Sequence, residues 1–151
     1  MVGFHLAPRP SMWVPLAEWY IDGRLRADTT NHQGRAIRLP TFQTLAVLDA
    51  TSVFAGLVTT SAGASVILDI KHAPTFEDTK TSIFQGTNYP TIAAADVHTG
   101  DTSSNAGIID ANYTFVSGGF WWLYVRQVGS TSGSEGIDLS VQVRAKVYVE
   151  P

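Results

Sequence analysis

The chain has 151 residues, no cysteine, a formal net charge of −3, and charged side chains at only 15% of its positions. That length can bury a core of its own, so neither a disulfide nor a metal staple is required. No apolar run approaches the roughly 18 residues of a membrane-spanning helix, residues 1–8 lack the basic-then-apolar pattern of a secretory leader, and the arginines are too few and scattered for nucleic acid, so no membrane or nucleic-acid partner is expected.

Residues 1–30 come first and are unusual. Pro8, Pro10 and Pro15 forbid a regular helix, yet Phe4, Leu6, Met12, Trp13, Trp19 and Tyr20 make the stretch strongly apolar. A disordered tail is poor in aromatics, so the segment is expected to be extended and buried against its own domain or a neighbouring subunit. Residues 1–40 also carry a net charge of +2 against −5 for the rest. A basic leader on an acidic body suits an arm that docks on an acidic neighbour. The expected organisation is therefore an extended arm or linker over 1–34 and a β-sandwich over 35–151. The arm's candidate partner-binding residues are Phe4, Leu6, Trp13, Trp19, Tyr20, Arg24 and Arg26. Deleting 1–20 is expected to leave a folded domain.

Strands are read next over 36–42 and 44–48, then over 53–59 and 65–70 as a hairpin-like unit around Thr60-Ser61-Ala62-Gly63. Shorter candidates lie at 81–84, 108–110 and 113–116, and residues 90–96 suit one helical turn. The polar stretches 72–80 and 95–105 read as loops at the ends of the sandwich. Residues 120–128 form a strand joined through the Gly/Ser-rich stretch 129–136 to the clearest element of all, a hairpin with a mobile tip. In that last element Ile137, Leu139, Val141, Val143, Ala145, Val147 and Val149 alternate with Asp138, Ser140, Gln142, Arg144, Lys146, Tyr148 and Glu150. This is the period of a strand with one face in a core, and its length predicts a bulge. About eight short strands separated by turn signals predict an all-β antiparallel sandwich.

No catalytic signature is present, so no enzyme activity and no cofactor are expected. Thr131 stands where a nucleophile elbow needs Ser, and there is no phosphate-binding glycine loop or His-Glu-x-x-His pair. His5, His32, His72 and His98 are far apart and read as surface or loop residues rather than metal ligands. Glu77-Asp78 and the Asp96/Asp101 loop read as solvated charge rather than a calcium site or a carboxylate pair. Asn112-Tyr113-Thr114 matches a glycosylation sequon, a short and unspecific motif.

One strand breaks the half-buried pattern. In Phe120-Trp121-Trp122-Leu123-Tyr124-Val125 both faces are bulky and apolar, and Trp121 and Trp122 must point opposite ways. Either the strand is central and covered on both sides, or its outward face meets another subunit or, as the alternative, stacks on a glycan together with Tyr89. Trp121, Trp122 and Tyr124 are the candidate residues.

Several blocks occur in a familiar order: Gly63-Ala64-Ser65-Val66-Ile67-Leu68-Asp69-Ile70, Thr81-Ser82-Ile83-Phe84, Pro90-Thr91-Ile92-Ala93-Ala94, Phe115-Val116-Ser117-Gly118-Gly119, Val125-Arg126-Gln127-Val128-Gly129-Ser130 and Gly136-Ile137-Asp138-Leu139-Ser140-Val141. Over about residues 35–147 this resembles a β-sandwich domain that recurs in tailed-bacteriophage virion proteins. Two departures stand out: the family's short turn is replaced by the longer 72–80, and its polar strand by the aromatic 119–125. The resemblance implies a jelly-roll-like, non-enzymatic virion protein. A homotrimer that decorates or cements the phage head, bound to the major capsid protein or another virion protein, is the leading expectation. A tail, fibre or baseplate component with a carbohydrate-binding role is the alternative. It implies location in the virion, after assembly in the bacterial cytoplasm.

Overall fold

The computed structural model describes residues 11–41, 46–49, 51–113 and 115–148. They form nine strands and no helix: β1 (Ser11–Arg24), β2 (Asp28–Arg38), β3 (Ala46–Val47), β4 (Val53–Thr59), β5 (Val66–Ala73), β6 (Thr81–Ser82), β7 (Thr91–Ile92), β8 (Phe120–Gln127) and β9 (Ile137–Tyr148). Two antiparallel sheets pack face to face. In sheet A, β9 is central, with β1 on one side and β3 and β4 on the other. In sheet B the order is β2-β8-β5, and β6 and β7 each pair with part of β5.

The connections explain the order. β1 and β2, β4 and β5, and β8 and β9 are consecutive pairs whose members lie in opposite sheets. Each pair is thus an arch across the core rather than a hairpin, and the three arches lie side by side. An isolated bridge between Gly56 and His98 adds residues 97–99 beyond β4, the next position in sheet A. This is the jelly-roll-like sandwich, two sheets wound from one folded-over ribbon.

This corrects the expected hairpins at 53–70 and 120–149. It also replaces the mobile tip with a clasp: the two arches are hydrogen-bonded to each other, Ala62 N–H to Ser134 O at 2.9 Å and Thr131 N–H to Ala62 O at 3.2 Å. Gly129 sits where a Cβ would collide with the Ser134 and Ala62 backbones, and Gly63 has φ +79° against Ser130 and Thr131. The glycines of the recurring blocks therefore hold one end of the sandwich shut. Residues 90–96 form β7 and a turn (Asp96 N–H to Ala93 O, 3.0 Å) instead of a helical turn. In the 108–116 stretch, the described residues make only the bridge of Ile109 to Phe84.

The period-two pattern of β9 fixes the core of sheet A. Leu139, Val141, Val143 and Ala145 are buried, while Gln142 and Arg144 are exposed. The bulge predicted for this strand lies in its partner: β1 shifts register between Pro15 and Ala17, leaving Leu16 as the extra residue. From β1 the core takes Ala17 and Trp19, from β4 Val53, Ala55 and Leu57. From sheet B it takes Leu68, Ile70, Trp121, Leu123 and Val125.

Residues 11–34, expected to be extended and buried against their own domain or a neighbouring subunit, are extended strands built into both sheets of their own domain, and the expected boundary at 34/35 falls inside β2. The physical reason is that proline forbids helix but not an edge strand. Pro15 sits in β1, whose other edge is unpaired among the described residues, beside the bulge. Trp19 is only 2% exposed and its indole N–H donates to Arg35 O at 2.9 Å, so it is a core residue and not a partner-binding one.

Candidate functional site

The aromatic strand was the first candidate, and its two faces resolve differently. Trp121 lies in the main core, 0% exposed, with its indole N–H donating to the Tyr113 hydroxyl at 3.1 Å and its ring edge-on to Phe115. Burial pushes the Tyr113 phenol up to about 12. Trp122 and Tyr124 point outward from sheet B, yet they too are buried, in a second small cluster with Ala73, Ala36 and Phe120. The cover comes from the same chain. Phe76 packs edge-on to Trp122 and to Phe120 at 5.7 Å each, and Lys80 Nζ stands 4.4 Å over the Trp122 ring. Lys71 covers Tyr124 in the same way at 4.5 Å.

The long 72–80 stretch and the aromatic strand, two separate departures from the family pattern in sequence, are thus one feature in space. The expectation that Trp121, Trp122 and Tyr124 bind a partner or glycan is corrected: Trp121 faces the core, Trp122 lies under Phe76 and Lys80, and Tyr124 is buried beneath Lys71 of β5. Tyr89, the expected companion on a glycan platform, packs against Arg126 (4.5 Å to its ring) instead.

Beside this cluster lies a buried carboxyl. Asp69, outward on β5, is fully buried; Oδ1 accepts a hydrogen bond from Ser82 Oγ at 2.6 Å, while Oδ2 has no hydrogen bond and lies 3.8 Å from Arg126. Desolvation raises its pKa, outweighing the hydrogen bond and the nearby cations. These contacts tie β5 to β6 and β8 on the outer side of sheet B.

The arm residues divide as well. Phe4 and Leu6 lie outside the described residues, as does His5. Arg24 forms an ion pair with Glu135 (3.4 Å) across the end of the sandwich. Arg26 is exposed in the β1–β2 turn, where its carbonyl accepts from Gln33 at 2.6 Å. Trp13 and Tyr20 are exposed on the outer face of sheet A, Tyr20 by 59%. The histidines do not converge. His32 contacts Gly34 O, His72 is partly buried against Tyr113 with its pKa lowered by desolvation, and His98 pairs with Asp101 at 3.1 Å. Asp101 also accepts from the Val97 and His98 amides, which lowers its pKa, while Asp96 holds Ser104 and Asp78 holds Thr75. No group of three metal-ligating side chains occurs among the described residues. Of the sequon, Thr114 lies outside them.

What sequence reasoning missed is the outer face of sheet A. There the outward positions of β1, β9 and β4 line up in register: Glu18 opposite Gln142, and Gln142 opposite Phe54. One position along, Pro15 stands opposite Arg144, and Trp13 opposite Lys146. Trp13, Pro15, Glu18, Phe54, Gln142 and Arg144, with Thr99 and Gly100, line a cavity of about 920 Å³. The Arg144 guanidinium lies 4.2 Å over the Trp13 ring, and Phe54 packs on His98. The signal was available: Trp13, Pro15, Glu18 and Tyr20 alternate outward once a one-residue bulge at Leu16 is allowed. The prolines concealed it.

No protein-family model matches the chain, nor does any curated protein or solved structure.

Proposed function

We propose that the chain is a non-enzymatic structural component of a tailed-phage particle, a decoration or cement protein that self-associates as a trimer and attaches to the head. The observation that carries this reading is the arrangement of one end of sheet A. Ser11 pairs with Tyr148, so the chain enters β1 and leaves β9 at the same place. At that end Met12 and Val47 are exposed apolar side chains. An apolar end with both flanking segments beside it suits attachment to a larger assembly, and repetition over a lattice makes modest individual contacts sufficient.

Attachment through an added strand is disfavoured. The free edge of β1 carries Pro15 and the bulge at Leu16, both of which keep an edge from pairing with another chain. Contact is instead through side chains: Met12, Val47 and the preceding residues, Phe4 and Leu6 included. The resemblance to virion sandwich domains supports the reading further, because its blocks fall on the arches and strands that define this fold.

Two measurements test it. Light scattering of the purified chain should give the mass of a trimer. Quantitative mass spectrometry of purified particles should find the chain at a copy number commensurate with the major head protein. A chain absent from particles, or present at a few copies, overturns the decoration role; the latter places it in the tail.

A further inference from the structure

We infer that the cavity on the outer face of sheet A is a binding site for a neutral saccharide chain. The site adjoins the end of the sheet proposed for attachment, since Trp13 follows Met12 and shares a cross-strand row with Val47, but it does not require the chain to belong to a particle.

The chemistry of the walls carries the inference. At about 920 Å³ the cavity lies within the usual range for ligand sites. It runs from Trp13 on β1 to Phe54 on β4, two half-exposed aromatic rings on opposite strands. Between them stand Glu18, Gln142 and Arg144. Glu18 and Gln142 make no hydrogen bond or ion pair within the described residues, while Arg144 stacks on Trp13 and helps to lower the pKa of Asp49 through its charge. Two planar polar groups with unused donors and acceptors, and a guanidinium held on an indole, therefore stand between two aromatic side chains.

Three features narrow the ligand. First, a pyranose presents an apolar C–H face and a rim of hydroxyls. It matches rings that stack and planar amide, carboxylate and guanidinium groups that each exchange paired hydrogen bonds. Second, the cavity lies on a sheet face, where the main-chain N–H and C=O groups of β9, and those of β1 and β4 that point toward it, are engaged in the ladder. A peptide draws its affinity mainly from main-chain bonds at a sheet edge, and this face offers side chains only. Third, Glu18 and Arg144 bear opposite charges within one site, so neither an anion nor a cation is favoured over a neutral hydroxyl-rich chain. The groove is also preformed. The bulge at Leu16 re-aims Pro15 and Trp13 relative to Glu18, and Arg144 is held on Trp13 rather than free.

The test uses the full chain, titrated with cellohexaose, chitohexaose and maltohexaose and applied to an array of bacterial surface polysaccharides. Binding is read by amide chemical shifts and by the fluorescence of Trp13. At least one saccharide should bind and shift the amides of β1, β4 and β9. Phe54→Ala and Gln142→Ala should each weaken that binding by at least about tenfold. Tyr20→Ala, on the same sheet but outside the groove, should leave it unchanged. Because Gln142 is exposed, its variant tests the site even if Phe54→Ala lowers stability. The inference is overturned by saccharide binding that survives both groove variants, by no binding across the probes and array, or by a peptide library that binds the groove when saccharides do not.

Discussion

Replacing Phe76 by alanine separates a face closed by its own chain from a face left for a partner. Phe76 is 51% exposed, yet its ring touches both Phe120 and Trp122. Burying about half of a ring worth roughly 200 Å² removes about 100 Å² from water, or about 2.5 kcal/mol at ~25 cal/mol per Å². The unfolded chain already buries part of that area, which lowers the figure, and two edge-on ring contacts at about 0.5–1.5 kcal/mol each raise it. The net expectation is a loss of about 2 kcal/mol, with a fall in melting temperature of about 4–8 °C for a chain of this size. The more telling readout is local. With Phe76 gone, the Trp122 indole keeps Lys80 over its ring and Phe120 beside it but loses its largest cover from 74–80. Its emission should shift to the red and become quenchable by acrylamide, and Trp122→Phe in the same background should remove that signal. A Phe76→Ala protein with unchanged midpoint and unchanged quenching would refute the closure of this face by 74–80. A partner subunit would then have to supply the cover.

Three further outcomes follow from particular contacts. Deleting residues 1–10 should leave a cooperative unfolding transition, whereas deleting 1–20 should abolish it. The second cut removes Leu16, Ala17 and Trp19 from the core and most of the pairing with β9; circular dichroism and a urea melt decide this. Tyr113 has a phenol pKa raised from 10.0 to about 12 by burial. The unfolded chain therefore releases this proton first, and stability falls as pH rises from about 10 to about 12, by roughly 2–3 kcal/mol. Melts across that window should show the fall, and Tyr113→Phe should flatten it. At Asp69 the raised pKa means that the buried carboxylate costs stability at neutral pH and that the cost disappears as pH falls through the folded pKa toward the unfolded value. Asp69→Asn should thus change stability at pH 7 by no more than about 1 kcal/mol, while Ser82→Ala, which leaves Oδ1 without its 2.6 Å donor, should cost about 1–3 kcal/mol in a denaturant titration.

The sequence by itself determined the fold class, because strand periodicity is local. From Ile137 to Val147 every second side chain needs burial, and only a sheet with one covered face meets that need. It read the Gly/Ser-rich stretch 129–136 only as a mobile tip, whereas Gly63 and Gly129 sit in the clasp between the two arches. It misjudged what depends on who lies opposite whom. The segment 11–24 looked like an arm because its prolines break the local pattern, yet β9 offers it a complete ladder and a bulge absorbs the interruption. Trp121 and Trp122 were legible as two-faced, but whether a loop, a subunit or a sugar covers the second face is a question of distance across the sheet. There 72–80 reaches from β5 over the neighbouring strand β8. The groove lies in the same category. Glu18, Gln142 and Phe54 are far apart in the chain, and only the antiparallel register of β1, β9 and β4 sets them in one row.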